Sequence, residues 1–302
     1  MSKFELAQGP LTPENRILHE LHKTVEDILH RLGLMVRVFA RVKTIDSINK
    51  KLSQKIDTYT NGKKMQDLFG LRVTAYFPDD TEIVADALKI NFRYLDSTID
   101  EPDQATFGPT RHNLIFALPS EHAPQSIILR KTDIIDSTFE VQLRTVLSEG
   151  WHEVEHDLRY KCKEDWETSP DLYRALNGIV ATLETCDWSM LKLFEEQAYR
   201  HYRAKRWIPM LRSKFRLKFG EDPLLPKLNS YLEEHPEFTK RLYRIDRMDM
   251  LNKLMRSNLR LPLTWSNLVF ILNYFSIGDK EVRSFEPQIV RTILDECNII
   301  KG

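Results

Sequence analysis

Arg41, Lys43, Ser47 and Lys51 fall within the stretch RVKTIDSINKK. Arg41 and Lys43 are two apart, so they share one face of an extended strand. Ser47 and Lys51 are four apart, so they share one face of a helix. Cations and a hydroxyl gathered near a helix N-terminus suit phosphate groups. A solvated basic face has the same composition, and this segment alone does not separate the two. Asp67 in QDLFGLRV precedes an apolar strand that carries Arg72 between Leu71 and Val73. Polar groups at the edge of an apolar strand are costly unless they meet a partner or a ligand. Asp67 could equally be a turn or capping residue.

The third set lies in STFEVQLRTVLSEGWHEVEHDLRYK, residues 137–161. Phe139, Val141 and Leu143 alternate with Glu140, Gln142 and Arg144, the period of a half-buried strand. One face then presents an acid, an amide and a base. Asp67 and Glu140, on separate strands of one sheet, add two carboxylates to a cationic patch. Mg²⁺ is typically held by one or two carboxylates together with substrate phosphates, and cations stabilise charge on a transferring phosphoryl group.

These residues need elements to position them. Helical spacing covers 13–31 (ended by Gly33), 44–56, 81–90 and 145–161, and strand patterns cover 34–43, 71–78, 92–98, 112–119 and 138–144, with a further strand at SIILR, 126–130. Alternating strands and helices predict an α+β fold, a mixed sheet flanked by helices. After Ser169 the strand signals fade. Residues 170–206 read as one long helix or a hairpin of two. Residues 207–302 read as short helices punctuated by Pro209, Pro223, Pro226, Pro236, Pro262 and Pro287. The expected domains are 1–206 and an all-helical C-terminal module, 207–302.

Four segments together, RVKTIDSINKKL, QDLFGLRV, FEVQLRT and WHEVEHDLRYK, resemble the synthetase domain of the RelA/SpoT family in order and approximate spacing. The resemblance implies a nucleotidyltransferase-like fold and transfer of the β,γ-pyrophosphoryl group of ATP to the 3′-hydroxyl of a guanosine nucleotide, GDP or GTP. It implies Arg41 and Arg72 around the adenine, and Lys43, Ser47 and Lys51 on the ATP phosphates. Asp67 and Glu140 would be the catalytic pair and hold Mg²⁺. His112, Gln142 and Arg144 would line the acceptor side, with Lys161 as a phosphate contact. Glu155, His156 and Tyr160 would belong to the supporting helix.

One departure stands out. The family pattern Gly-Tyr-x-Ser-x-His, aligned on His112, meets FGPTRH here, with Phe107, Gly108 and Thr110 at the glycine, tyrosine and serine positions. The tyrosine that the resemblance places against the acceptor guanine is absent. Alternative readings are therefore a toxic small family member acting on another acceptor, such as the 3′ end of tRNA or an adenosine nucleotide, or a nucleotide-sensing protein without turnover. With only about 33 residues before the first strand, the resemblance also predicts that no hydrolase domain precedes it.

The 302 residues are 42% hydrophobic and 29% charged, ordinary for a globular protein. No apolar run approaches the length of a membrane span, about 20 residues. The N-terminus lacks a basic-then-apolar signal plan, and three scattered cysteines form neither a disulfide framework nor a zinc site. The cytoplasm is the expected compartment. The zero net charge is uneven: Arg200 onward holds 20 Lys+Arg against 12 Asp+Glu, leaving 24 against 32 before it. That imbalance, with the acid-free run 200–218, favours an anionic partner such as tRNA, or docking on the acidic part. A homo-oligomer is compatible with the sequence.

Overall fold

The computed structural model describes residues 12–54, 59, 63–100, 112–220, 222–257 and 259–297. The chain divides into two compact units, 1–28 with 36–187, and 29–35 with 188–302.

Among the described residues the first unit is built on five strands: β1 (Val36–Val42), β2 (Phe69–Ala75), β3 (Tyr94–Ile99), β4 (His112–Ala117) and β5 (Thr138–Thr145). Their order is β1-β2-β5-β4-β3. β2 and β5 run parallel, and every other neighbouring pair is antiparallel. The helices of this unit begin with α1 (Pro13–Arg31), α2 (Ile45–Gln54) and α3 (Asp79–Asn91). After β4 come α4 (Ile127–Lys131), α5 (Val146–Glu155) and α6 (Pro170–Arg203). α3 lies against β5, and α5 lies against β2 and β5. The α+β expectation holds: a mixed sheet flanked by helices.

β2 sits inside the sheet and is covered on both faces, with every residue but Arg72 buried. That explains why it reads as a near-continuous apolar run rather than an alternation. β5 keeps the alternation because one of its faces carries the polar residues. On its other face Phe139 stacks on Phe116 at 5.4 Å and meets Phe92 edge-on at 5.1 Å. Aromatic pairs of this geometry add to the area that they bury.

α5 starts directly from β5 through a reciprocal cap. Thr145 Oγ1 accepts from the Ser148 N–H at 3.1 Å, and the Thr145 N–H donates to Ser148 Oγ at 3.0 Å. Thr145 Oγ1 also donates to Asp187 at 2.6 Å. α5 ends in a wide π turn, His156–Tyr160, where helical residues continue with one extra residue in the turn.

The structure corrects one expectation. Residues 126–130 form no strand; α4 begins at Ile127. Ser126 Oγ accepts from the Leu129 N–H at 3.1 Å, and the Glu14 carboxylate accepts from the Ile128 N–H at 3.0 Å and from Ser126 Oγ at 3.1 Å. Burial pushes the Glu14 carboxyl up, but these bonds outweigh it and hold the group below its ordinary range. A cap supplied from 112 residues away has no local sequence signature.

The second unit is helical: α7 (Trp207–Phe215), α8 (Pro226–Glu234), α9 (Pro236–Arg244), α10 (Arg247–Met255), α11 (Trp265–Leu272), α12 (Lys280–Ser284) and α13 (Gln288–Asp295). Pro226 and Pro236 stand at the first positions of their helices, where a missing N–H is harmless. Phe215, Leu228, Leu242, Leu251 and Phe270 are fully buried in its core. Residues 170–203 form one helix rather than a hairpin, and it runs through the division at 187/188. No helix among the described residues is long and apolar enough to cross a membrane.

Phe139 is fully buried against Phe116 and Phe92. Phe139→Ala should therefore lower unfolding free energy by about 3–5 kcal/mol in urea denaturation, as large core truncations do.

Candidate active site

The polar face follows from register. Glu140 lies opposite Gly70, and Gln142 opposite Arg72, across the parallel β2–β5 pair. Arg41 lies opposite Gly70 across β1–β2. Asn113 lies opposite Gln142 across β4–β5. Cross-strand partners share a face, so Arg41, Arg72, Glu140, Gln142, Arg144 and Asn113 are all presented on one side. The Arg41 side chain lies across Gly70, with Nε 3.8 Å from where a Cβ would stand.

At the start of this face sits a charge cluster. Asp67 accepts from Lys43 Nζ at 2.5 Å and from Lys51 Nζ at 3.0 Å on both carboxylate oxygens. Burial raises the Asp67 carboxyl, but the Lys43 hydrogen bond and the two ammonium charges outweigh it, so the group titrates below its ordinary range. Burial pulls Lys43 down further than Asp67 pushes it up. Lys51 ends above its ordinary value, because Asp67 outweighs the burial. Glu140 is raised by burial and then by the Asp67 charge. Asn113 Nδ2 donates to Glu140 Oε1 at 2.9 Å, while Asn113 Oδ1 is buried with no hydrogen-bond partner.

A second cluster joins the sheet to α5. Arg72 Nη1 donates to both Glu149 and Glu153, and Arg72 Nε donates to Gln142 Oε1 at 3.4 Å. Arg144 Nε stands 3.7 Å from Glu149 Oε2. Burial, with Arg72 close by, lowers the Arg144 guanidinium to about 10, so it stays cationic at neutral pH. His152 is pushed down to about 3 by burial and by Arg144 and Arg72, which keeps the imidazole neutral.

Eight of the sequence-predicted residues are thus brought together: Arg41, Lys43, Lys51, Asp67, Arg72, Glu140, Gln142 and Arg144. Ser47 stands one turn before Lys51 and accepts from Thr44 Oγ1 at 2.8 Å. His112 is placed elsewhere. It precedes Asn113 on β4, so it takes the opposite face, where Lys89 and Glu82 of α3 act on it and burial lowers its pKa. Lys161 pairs with Asp157 beyond the end of α5. Phe107, Gly108 and Thr110 lie outside the described residues. Asn113, Glu149, His152 and Glu153 had no part in the sequence-based site. The signal for Asn113 was parity: of two adjacent polar residues on a strand, only one can face the site. The signal for Glu149 and Glu153 was their i, i+4 spacing, directly after a strand rich in arginine.

The donor set suits a divalent cation. Two carboxylates that act on each other, Glu140 raised first by burial and then by the Asp67 charge, gain from a shared 2+ charge. Among the described residues no group of three or more His, Cys, Asp or Glu side chains is placed to hold a metal alone.

Residues 40–165 match the family described as a region found in RelA / SpoT proteins. This part of the chain is similar to the RelA/SpoT region. Over 126 residues the chain is 29% identical to GTP pyrophosphokinase YjbM of Bacillus subtilis (strain 168), covering 41% of this chain and 56% of that protein. The chain thus spans little more than half the length of that relative. Two solved structures are similar. Small alarmone synthetase 1 of Bacillus subtilis, bound to its product pppGpp, has a TM-score of 0.47 at 23% identity, covering 61% of this chain and 93% of that one. A GTP pyrophosphokinase family protein of Streptococcus pneumoniae has a TM-score of 0.47 at 21% identity, covering 66% and 94%. The RelA/SpoT region contains both charge clusters and every residue of the sequence-based site.

The raised Glu140 carboxyl makes a pH prediction for the RelA/SpoT region. The folded chain holds the Glu140 proton to higher pH than the unfolded chain does. Ionising Glu140 therefore destabilises the fold as pH rises out of the ordinary carboxylate range. Glu140→Gln should raise the urea midpoint at pH 7. The gain over wild type should shrink as pH falls to about 4, where an unfolded glutamate is itself protonated. Comparing the two proteins at each pH removes the opposite contribution of Asp67, which both share.

Proposed function

We propose that the RelA/SpoT region is an ATP-dependent pyrophosphokinase that transfers the β,γ-pyrophosphoryl group of ATP to the 3′-hydroxyl of a guanosine nucleotide. The observation that carries this reading is the shared sheet face, on which the Asp67–Lys43–Lys51 cluster adjoins Glu140. It offers carboxylates for a metal beside cations for phosphates.

The roles follow from chemistry. The guanidinium planes of Arg41 and Arg72 stack on the adenine ring. Lys43, Lys51 and Ser47 hold the ATP phosphates, so triphosphate and Asp67 share the two ammonium groups. Asp67 and Glu140 would hold Mg²⁺, which would neutralise charge on the transferring group. Gln142, Arg144 and Asn113 orient the acceptor. The 3′-oxygen attacks the β-phosphorus, the bond from that phosphorus to the α,β-bridging oxygen breaks, and AMP leaves. Glu140 takes the hydroxyl proton. Glu149 and Glu153 fix the Arg72 fork and so act as positioning residues.

A specific observation also favours an RNA acceptor as a second reading. Arg203, Lys205 and Arg206 are exposed at the end of α6, Tyr199 is exposed one turn earlier, and Tyr202 stacks on Tyr243 at 4.7 Å. Cations interleaved with aromatic rings suit an RNA backbone and unstacked bases.

ATP labelled at its γ-phosphorus, offered with GDP, GTP, AMP or deacylated tRNA, decides between them. The expected result is label on a guanosine nucleotide. Asp67→Asn and Glu140→Gln should each lower turnover by roughly 100-fold or more with the circular dichroism unchanged. Label on tRNA, weakened by Arg203→Gln with Lys205→Gln, would move the assignment to RNA. No transfer to any acceptor would overturn both readings and leave a nucleotide-binding protein.

A further inference from the structure

α6 holds α5 and its π turn at three points. Thr145 Oγ1, at the start of α5, donates to Asp187 Oδ2 at 2.6 Å. Trp151 Nε1, in the middle, donates to the Leu176 carbonyl at 3.0 Å, and Arg159, in the π turn, donates to Asn177 Oδ1 at 2.6 Å. All three acceptors lie on the part of α6 that belongs to the first unit. Two of them are neutral. The third is a carboxylate, and its presence needs a reason. Asp187 is 4% exposed. One of its oxygens is met by the Thr145 hydroxyl, and the other is buried with no hydrogen-bond partner. Among the described residues no cation pairs with it, and burial pushes its carboxyl up against the pull of the Thr145 bond. Glu184, three residues back on α6, adds like charge, and its own carboxyl is raised by burial and then by Asp187. A buried carboxylate held this sparsely is expensive, and such departures are expected where a function requires them.

The bond that Asp187 makes falls on the cap of α5. Thr145 Oγ1 accepts from the Ser148 N–H, so its own proton needs an acceptor elsewhere, and Asp187 supplies one. With that proton committed, the lone pair stays on the Ser148 N–H and the rotation of the first turn is fixed. Glu149 follows in that turn and Glu153 stands one turn on, and both accept from Arg72 Nη1. A cap slipped by one residue would turn the helix by about 100° and carry both carboxylates off the guanidinium. A charged acceptor makes a shorter and stronger bond than a neutral one, which accounts for a carboxylate at 187 in place of an amide.

We propose that Asp187 is a positioning residue for the nucleotide-binding face: acting through Thr145, it sets α5 so that Glu149 and Glu153 hold the Arg72 guanidinium in place for a planar ring. That the ring is adenine rests on the function proposed above. The link from Asp187 to Arg72 rests on the hydrogen bonds alone.

The test is titration of the full chain with a non-hydrolysable ATP analogue by calorimetry, with KM and kcat for ATP measured beside it. Asp187→Ala should weaken the analogue about tenfold, a difference of about 1.4 kcal/mol. It should raise the KM for ATP while kcat changes by less than about twofold, whereas a purely structural role would remove folded enzyme and lower kcat at constant KM. Asp187→Asn keeps an acceptor without the charge, so it preserves the fold, and its affinity should fall below that of wild type by less than that of Asp187→Ala. Thr145→Ser retains the hydroxyl and should bind the analogue as wild type does, and Thr145→Val should match Asp187→Ala. Adding Asp187→Ala to Arg72→Gln should cost no further affinity, because both changes act at one guanidinium. Unchanged affinity in Asp187→Ala and Asp187→Asn, or a loss that adds in full to that of Arg72→Gln, would overturn the proposal. If the wild-type chain binds no analogue, the pyrophosphokinase assignment fails instead, and urea unfolding reads the link: non-additive midpoint shifts for Asp187→Ala with Arg72→Gln support it, and additive shifts overturn it.

Discussion

The ion cluster on Asp67 is the constraint around which the site is organised. One carboxylate is held by two ammonium groups, on Lys43 just after β1 and Lys51 on α2, within a partly buried corner. Removing such charges from water is expensive, and only mutual attraction offsets it. The cluster therefore pins the exit of β1, the first turns of α2 and the approach to β2 to each other. It also sets the field that Glu140 experiences from β5. A triphosphate bound as proposed would meet a carboxylate already surrounded by cations, and the lysines would exchange partners without a new buried charge being created.

The second cluster has a different character. Arg72 stands at the centre of the sheet and is gripped by two carboxylates from α5, while Arg144 shares one of them. Two guanidinium groups on neighbouring strands repel, and Glu149 and Glu153 lower that repulsion. His152 between them is held neutral, so it adds no third cation. The helix thus works as a charged backing plate for the face of the sheet.

Much of this was legible from periodicity. The alternation in FEVQLRT placed Glu140, Gln142 and Arg144 on one face, and the apolar run around Arg72 marked a central strand. The failures share a cause, which is dependence on partners distant in sequence. Residues 126–130 carry strand-forming isoleucines, but a cap from Glu14 turns them helical. His112 and Asn113 are adjacent, and only the pairing of β4 with β5 decides which one meets Glu140. Glu149 and Glu153 look like ordinary solvated helix charges until Arg72 is placed beside them. Local pattern gives the face a residue takes; register gives its company.

The parallel pairing of β2 with β5 has a consequence for how the protein comes into being. Gly70 meets Glu140 across the sheet, so the polar face joins residues about seventy positions apart. Parallel pairs of such separation close late, because a long loop must be ordered before any contact rewards it. A growing chain that has reached Asn91 already holds Arg41, Lys43, Lys51, Asp67 and Arg72, yet it lacks the strand that completes their surface. The cationic half of the site exists in the chain before its second carboxylate does. β5, the last strand along the chain, carries Glu140, so completion of the sheet and completion of its polar face are a single event.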